Sequence, residues 1–218
     1  PSPDQMIAAS EKVEGSAGIL FIVKNYSGDI MNFQMASEMM NGVSETVLIN
    51  DDVAVEDSSY TTGRRGVAAT VIVEKIVGSL AETGGSLKEC KILGDKVNRN
   101  SGSMGVAFSS CTVPAAGKPT FKIGPDEMEF GVGIHGEPGR RRDKIQSAQK
   151  ITNELLRAII EDLKIENNGE ILLFVNGMGG TPLTELYLLY DNAKKTLDNK
   201  NIKIARSLVG NYCTSLEM

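Results

Sequence analysis

The sequence has 218 residues, of which 41% are hydrophobic and 23% charged, and its 23 basic and 28 acidic residues give a net charge of −5. This balance disfavours non-specific nucleic-acid binding, and no apolar run reaches the roughly 20 residues that a membrane-spanning helix needs. Residues 1–5 lack the basic and apolar stretches of a secretory signal. We therefore expect a cytoplasmic protein with neither nucleic-acid nor membrane partners.

The first hundred residues alternate between helices and short apolar strands, which indicates a parallel sheet covered by helices. The segment 67–80 is ambiguous, but its apolar residues recur every four positions and favour a buried helix. Ser86 and Glu89 form a capping box at the start of the next helix. The predicted helices are 2–13, 30–40, 67–80 and 86–98, and the predicted strands are 18–23 and 46–49.

The pattern changes near Ser101, where strand-like segments follow one another without intervening helices. We therefore predict an α/β protein of two domains. The first, 1–101, is a parallel α/β/α domain, and the second, 102–218, is an α/β domain with a mixed sheet. Its predicted strands are 103–110, 120–123, 128–134, 170–175 and 202–209, and its predicted helices are 145–163 and 182–197.

Two residue types limit the possible chemistry. The three cysteines, Cys90, Cys111 and Cys213, are odd in number and lack CxxC spacing, so we predict buried free thiols. The chain has a single histidine, which excludes a histidine-rich metal site. We expect no bound metal.

That histidine, His135, lies in a glycine-rich turn, Gly131-Val132-Gly133-Ile134-His135-Gly136-Glu137-Pro138-Gly139. Glycine lets the backbone approach a small ligand closely and leaves the ring accessible. A neutral imidazole is also a nucleophile. Spacing alone leaves two interpretations open, a hydrogen-bonded turn histidine and a substrate-binding nucleophile.

A second candidate site follows the first predicted strand, at Lys24-Asn25-Tyr26-Ser27-Gly28-Asp29. Open α/β sheets bind ligands at the carboxyl ends of their strands. Asp29, at the start of the next helix, would be stabilised as an anion by the helix dipole. The alternative is that Asp29 is only a helix N-cap and Lys24 a solvated strand end.

Three further motifs have simpler explanations. The Asn176–Pro182 stretch could cradle a phosphate, but it lacks the P-loop ending, and Thr181 as N-cap before Pro182 explains it without a function. The arginine pair in Gly63–Gly66 is expected to be a solvated or ion-paired surface. Arg140–Arg142 is expected to be a charged loop.

Several strings, taken together, resemble one family along the whole chain, the dihydroxyacetone-binding K subunits of bacterial dihydroxyacetone kinases of the phosphotransferase-dependent type. The five strings are Lys24–Asp29, Asn50–Val55, Gly63–Gly66, Cys111-Thr112-Val113-Pro114-Ala115-Ala116-Gly117-Lys118-Pro119 and Met128–Gly139. The last two are the most specific.

The resemblance implies a role for three residues. His135 would hold the substrate carbonyl covalently, as a hemiaminal on its distal ring nitrogen, which selects a ketone or aldehyde over glycerol. Lys24 would bind a substrate oxygen. Asp29 would bind substrate and help to deprotonate the hydroxyl that attacks phosphorus.

The resemblance also implies partners. A separate helical L subunit would carry ADP or ATP with magnesium, so no cofactor is expected on this chain, and a homodimer is expected. An alternative stays open, because a close relative of the K subunit is a non-catalytic dihydroxyacetone sensor that co-activates a transcription regulator. A lipid-binding protein of related fold is a more distant option, against which the string around His135 argues.

The sequence departs from the family at both ends. The family has an upstream glycine-rich segment with a second active-site histidine, and it continues past Thr214–Leu216 for one or more strands. We therefore expect part of the sheet and one catalytic group to be absent from these 218 residues.

Overall fold

The computed structural model describes residues 1–13, 15–55 and 61–218, and its contacts group into two compact units, Pro1–Ser101 and Gly102–Met218. The division into two domains stays a prediction. None of the helices formed by the described residues combines the length and the apolar character of a membrane span. The three cysteines are buried free thiols, as predicted.

The first unit is a three-layer arrangement around two parallel strands, with Ile19 opposite Ser44 and Lys24 opposite Ile49. Alternate side chains of the first strand face opposite layers, as the period of two requires. The elements are α1 (Pro3–Val13), β1 (Ile19–Lys24), α2 (Ser27–Met39), β2 (Ser44–Ile49), α3 (Ala69–Glu82) and α4 (Leu87–Arg99).

The two faces of this sheet have separate cores. On one face, Ile19, Phe21 and Val23 are buried against Phe33 of α2. The other face packs against α3 and α4, and its buried members are Val47, Ile49, Ala69, Val73, Val77 and Cys90. The sheet is therefore covered on both sides, which explains why β1 is apolar from Ile19 to Val23.

The helix predictions for this unit are confirmed, with small shifts of boundary. The ambiguous segment 67–80 is α3, and α2 begins three residues before the predicted start at Ile30. The capping box is present, because the Glu89 N–H donates to Ser86 Oγ at 3.3 Å and the Ser86 N–H donates to Glu89 Oε2 at 2.8 Å.

The second unit contains parallel and antiparallel pairing, as predicted, but in two separate sheets. Three strands form an antiparallel sheet in the order β3-β4-β5, and two form a parallel pair, β6-β7, packed against α5 and α6. The elements are β3 (Val106–Ala107), β4 (Glu127–Phe130), β5 (Arg141–Lys144), α5 (Ala148–Leu163), β6 (Glu170–Asn176), α6 (Leu183–Asn199) and β7 (Lys203–Gly210).

Several predictions for the antiparallel sheet were wrong. The predicted strand 103–110 is reduced to the two residues of β3, and 120–123 is not a strand. The strand predicted over 128–134 ends at Phe130 because Gly131 has a positive φ of 76°. The charged loop predicted at Arg140–Arg142 is largely β5, which pairs with β4.

Candidate functional site

The turn that carries His135 is closed by its own backbone. β4 ends at Phe130, and the Gly133 N–H then donates to the Glu137 carbonyl at 3.0 Å. The Gly136 N–H donates back to the Gly133 carbonyl, also at 3.0 Å. The histidine therefore lies at the tip of a hydrogen-bonded turn.

Two glycines in this turn are required by close packing. A Cβ on Gly136, whose φ is +79°, would lie 2.3 Å from Thr120 Oγ1. A Cβ on Gly139 would lie 1.9 Å from the Phe130 carbonyl oxygen. A side chain at Gly139 would require a backbone shift, and one at Gly136 would displace Thr120 and adopt a positive φ, so part of the glycine content of the motif is structural.

The imidazole of His135 is oriented by a buried carboxylate. Its Nδ1 lies 3.1 Å from Glu137 Oε1, and the His135 backbone N–H donates to Oε2 of the same carboxylate at 2.9 Å. The Glu137 side chain is 4% exposed, whereas that of His135 is 62% exposed. A carboxylate acceptor favours the tautomer with the proton on Nδ1, which leaves the lone pair on Nε2.

The protonation of Glu137 suits this role. Burial, the largest influence, raises the pKa of this carboxyl, but hydrogen bonds from the His135 ring and from backbone amides outweigh it. The pKa of Glu137 consequently lies below its ordinary value. The group is a carboxylate at neutral pH and faces both the backbone N–H and the ring Nδ1 of His135.

A second buried carboxylate fixes the far end of the turn. Oε1 of Glu129 accepts from the Gly139 N–H at 3.0 Å, and Oε2 accepts from Arg142 Nε at 3.0 Å. Arg141 instead pairs with Asp143 and Glu154, and its guanidinium lies 4.8 Å from the centre of the Phe130 ring. The basic stretch thus supports the histidine turn.

In the first unit, a loop lies directly on the carboxyl ends of β1 and β2. The buried Asn25 donates from Nδ2 to the carbonyls of Thr62 and Arg64, at 3.0 and 2.7 Å. A Cβ on Gly66 would lie 2.3 Å from the Ile49 carbonyl oxygen and 2.9 Å from Lys24 Cα. The arginine-containing string therefore packs against the backbone of Lys24.

Two buried aspartates hold this loop. Asp51 accepts from the Val67 and Ala69 N–H groups at 2.7 and 3.0 Å, and so supplies a side-chain acceptor at the start of α3. Asp52 accepts from Nε and a terminal nitrogen of Arg65, both at 2.7 Å, and Arg65 is 0% exposed. The expectation of a surface arginine pair was wrong for Arg65, which forms a buried ion pair.

Lys24 and Asp29 lie in one β–α connection of the first unit, since Lys24 ends β1 and Asp29 is in the first turn of α2. The N-cap of α2 is Tyr26, so Asp29 is not an N-cap. Both residues are half-buried, and within the described part of the chain neither side chain has a hydrogen-bond or ion-pair partner. His135 belongs to the second unit, and the assignment of all three to one ligand stays a prediction.

The glycine-rich loop after β6 does not offer its amides to a phosphate. The N–H groups of Gly177, Gly179 and Gly180 donate to the Gly210 carbonyl, Asn211 Oδ1 and the Met218 carbonyl, at 3.1, 3.1 and 2.9 Å. The N-cap of α6 is Pro182 and not the predicted Thr181. The loop instead packs against residues 211–218.

The interpretation of the sequence missed three supporting residues, Glu137, Glu129 and Asn25. A carboxylate two positions after a lone histidine was the available signal for Glu137. Glu129 and Asn25 carry no such signal, because their partners lie 10 or more residues away along the chain.

Comparison with known proteins gives a consistent result. The Dak1 domain model matches residues 1–218. Over 221 residues, the chain is 46% identical to a Listeria innocua protein, "PTS-dependent dihydroxyacetone kinase 1, dihydroxyacetone-binding subunit DhaK". The alignment covers 100% of this chain and 67% of that protein. The Escherichia coli subunit of a PEP-dependent dihydroxyacetone kinase is 42% identical, with 100% and 69% covered.

Solved structures agree with this fold. The dihydroxyacetone kinase operon co-activator Dha-DhaQ matches with a TM-score of 0.90 at 30% identity, over 100% of this chain and 68% of its own. The dihydroxyacetone kinase of C. freundii matches with a TM-score of 0.85 at 31% identity, over 100% of this chain and 40% of its own. A DegV lipid-binding protein from Thermotoga maritima shares the fold alone. It is 12% identical, with a TM-score of 0.59 over 99% of this chain and 70% of its own.

Proposed function

Because this chain belongs to the Dak1 domain family, the family of dihydroxyacetone-binding kinase subunits, we propose that it binds dihydroxyacetone covalently at His135 and presents it for phosphorylation. The observation that carries the proposal is the exposed His135 ring, whose Nδ1 is held by the buried Glu137 carboxylate. With Nδ1 against this carboxylate, Nε2 would be the nitrogen that attacks the substrate carbonyl.

The proposed bond forms by addition to the ketone. The Nε2 lone pair attacks the carbonyl carbon, the C=O π electrons move to oxygen, and that oxygen takes up a proton. The Nδ1 proton moves to the Glu137 carboxylate, which it already faces, and this restores a neutral imidazole, so the sum is addition without loss of water. The Glu137 carboxylate stabilises the positive charge that develops on the ring during the attack.

The proposed phosphoryl transfer uses the first unit. The Lys24 ammonium would bind a substrate oxygen, and Asp29 would bind substrate and accept the proton of the hydroxyl that attacks phosphorus. The phosphoryl donor would be ATP with magnesium on a separate helical subunit, so this chain needs no cofactor of its own. We further propose that the chain forms a homodimer.

Intact mass measurement after incubation with dihydroxyacetone, without borohydride, tests the proposal. The expected result is an increment of one whole dihydroxyacetone per chain, with no increment from glycerol. An increment reduced by one water would indicate a Schiff base on a lysine and would contradict the histidine adduct.

Replacing Glu137 with glutamine is expected to lower adduct formation about 10–100-fold, because a hydrogen bond to a charged group contributes about 1.5–3 kcal/mol. The folded pKa of Glu137 is depressed from its ordinary 4.5. The Glu137 carboxylate therefore contributes to the free energy of unfolding above pH 4.5, and this contribution is lost as the pH falls through the folded pKa. The glutamine variant should not show this loss of stability in acid. Denaturant unfolding at several pH values measures it.

Replacing Asp29 with asparagine is expected to preserve adduct formation while lowering phosphorylation about 10²–10⁴-fold, the usual contribution of a general base. Asp4→Asn is the matched control, since Asp4 is also an acidic residue in the first turn of a helix. Turnover is measured with the ATP-carrying subunit added. Near-normal turnover of the Asp29 variant would remove this residue from the mechanism.

A non-catalytic sensor is the second candidate function. The similarity to the co-activator Dha-DhaQ, with a TM-score of 0.90, is the observation that favours it. Both functions would retain the His135 adduct. Co-precipitation separates the two functions, with the ADP-loaded helical subunit and a transcription regulator offered in competition. The kinase function requires binding to the helical subunit, so binding to the regulator alone would favour the sensor.

A further inference from the structure

The last residue of β6, Asn176, holds a segment that follows β7, residues 211–218. Asn176 Oδ1 accepts from the N–H groups of Tyr212 and Cys213, at 3.0 and 2.9 Å. Asn176 Nδ2 donates to the Cys213 carbonyl at 2.6 Å. One side-chain amide thus fixes the start of the 211–218 segment with three hydrogen bonds.

The glycines after Asn176 provide room for the rest of this segment. A Cβ on Gly179 would lie 1.9 Å from the Leu216 carbonyl oxygen, and a Cβ on Gly180 would lie 2.5 Å from that of Glu217. The Ser215 N–H donates to the Met178 carbonyl at 2.5 Å. The motif that resembled a phosphate loop therefore supports the 211–218 segment.

The supported segment reaches the histidine turn through Ser215. This serine is 7% exposed, and its hydroxyl donates to the carbonyl of Ile134, the residue directly before His135. Met218 of the same segment belongs to the buried cluster that contains Val132 of the turn. The turn is thus contacted by a hydrogen bond and by apolar packing.

The hydrogen bond from Ser215 acts on the peptide group that also carries the His135 N–H. A peptide unit is planar, so its C=O and N–H move together. Ser215 holds the oxygen of this unit, and Glu137, which also orients the ring, holds its N–H. Without the Ser215 hydroxyl, the buried Ile134 carbonyl would lose its hydrogen bond. The Ile134–His135 peptide would then be held only through the His135 N–H.

We infer that Ser215 is a positioning residue for His135 and that the Asn176–Gly180 loop holds Ser215 in place. The expected effect of Ser215 on dihydroxyacetone binding rests on the proposed function, whereas its expected effect on the tautomer of the imidazole does not. Ser215→Ala is expected to weaken the preference of the ring for the tautomer protonated on Nδ1 and to weaken dihydroxyacetone binding about tenfold, the effect of one ordinary hydrogen bond.

Nitrogen NMR of ¹⁵N-histidine-labelled protein measures the ring directly, with the signal assigned by its loss in His135→Ala. The wild-type protein should show a protonated Nδ1 and an unprotonated Nε2. In Ser215→Ala the two ring shifts should move toward each other, as exchange between tautomers averages them. Ser215→Thr keeps the hydroxyl and should retain the wild-type signals.

Ser10→Ala is the matched control, because Ser10 is 4% exposed and its hydroxyl also donates to a backbone carbonyl, that of Met6 at 2.9 Å. It should leave the ring shifts and the adduct unchanged. If Ser215→Ala does not fold, Ser215→Cys, with similar size and a weaker donor, takes its place.

Ring shifts that stay at their wild-type values in a folded Ser215 variant lacking the hydroxyl would overturn the inference. An absent adduct in the wild-type protein would overturn the proposed function but not the inference, since the ring shifts do not depend on substrate.

Discussion

Replacing His135 with alanine is expected to abolish the dihydroxyacetone adduct completely, because the nucleophilic nitrogen is removed and no second imidazole exists in these 218 residues. His135→Asn is the more discriminating variant. Its amide can still donate to Glu137 in place of Nδ1, but it has no counterpart of Nε2. Intact mass measurement should therefore show no adduct in either variant, while the asparagine variant keeps the unfolding free energy of the wild-type protein.

An adduct that persists in His135→Asn would assign the bond to another nucleophile, and lysine would be the first candidate. Phosphorylation should also fall by orders of magnitude in both variants, because the ketone is no longer held for transfer. Excess glycerol should not reduce adduct formation in the wild-type protein, since it has no carbonyl group.

Replacing Arg65 with alanine is expected to destabilise the protein by about 3–5 kcal/mol, the usual cost of leaving a buried charge without its partner. Arg65 is fully buried and contacts the Asp52 carboxylate through two nitrogens at 2.7 Å. The same loop packs against the backbone of Lys24 through Gly66. Equilibrium unfolding in denaturant measures the change.

The double variant Arg65→Met with Asp52→Asn is the control, because it removes both charges. It should lose less stability than the sum of the losses in Arg65→Met and Asp52→Asn, with a coupling free energy of about 0.5–3 kcal/mol. A change within about 0.5 kcal/mol in Arg65→Ala would be typical of a surface residue and would contradict the buried pair.

The pH dependence of Arg65→Ala gives a second check. Burial raises the pKa of Asp52 above its ordinary 3.8, and Arg65 is the main group that opposes this rise. Without Arg65 the folded pKa should rise further. A raised folded pKa makes Asp52 contribute stability that is fully present below pH 3.8 and is lost as the pH rises through the folded pKa. The destabilisation should therefore be smaller in acid than at neutral pH.

Regular helices and buried strands were predictable because their signals are local. The capping box at Ser86 identified the start of α4, and spacing by four distinguished α3 from a strand. The strand β5 has no such signal, since Arg141–Lys144 is entirely charged and mostly exposed. It exists because β4 offers it a partner and because Arg142 pairs with the buried Glu129.

The candidate site was predictable only in part. His135 and its glycine turn are evident in the sequence, and the resemblance assigned the histidine its role. The burial of Arg65 depends on Asp52, 13 residues earlier, and the role of Ser215 depends on Ile134, 81 residues earlier. Contacts of this kind leave no periodicity, so composition suggested a surface arginine and left Ser215 without a role.

We propose above all that His135 forms a bond to the carbonyl carbon of dihydroxyacetone. Carbon NMR of the protein with dihydroxyacetone labelled with ¹³C at the carbonyl carbon tests it most directly. We predict that the bound carbon gives a signal of a tetrahedral carbon bonded to oxygen and nitrogen, which is absent from His135→Asn. A bound carbon that keeps the shift of a free ketone would contradict the account.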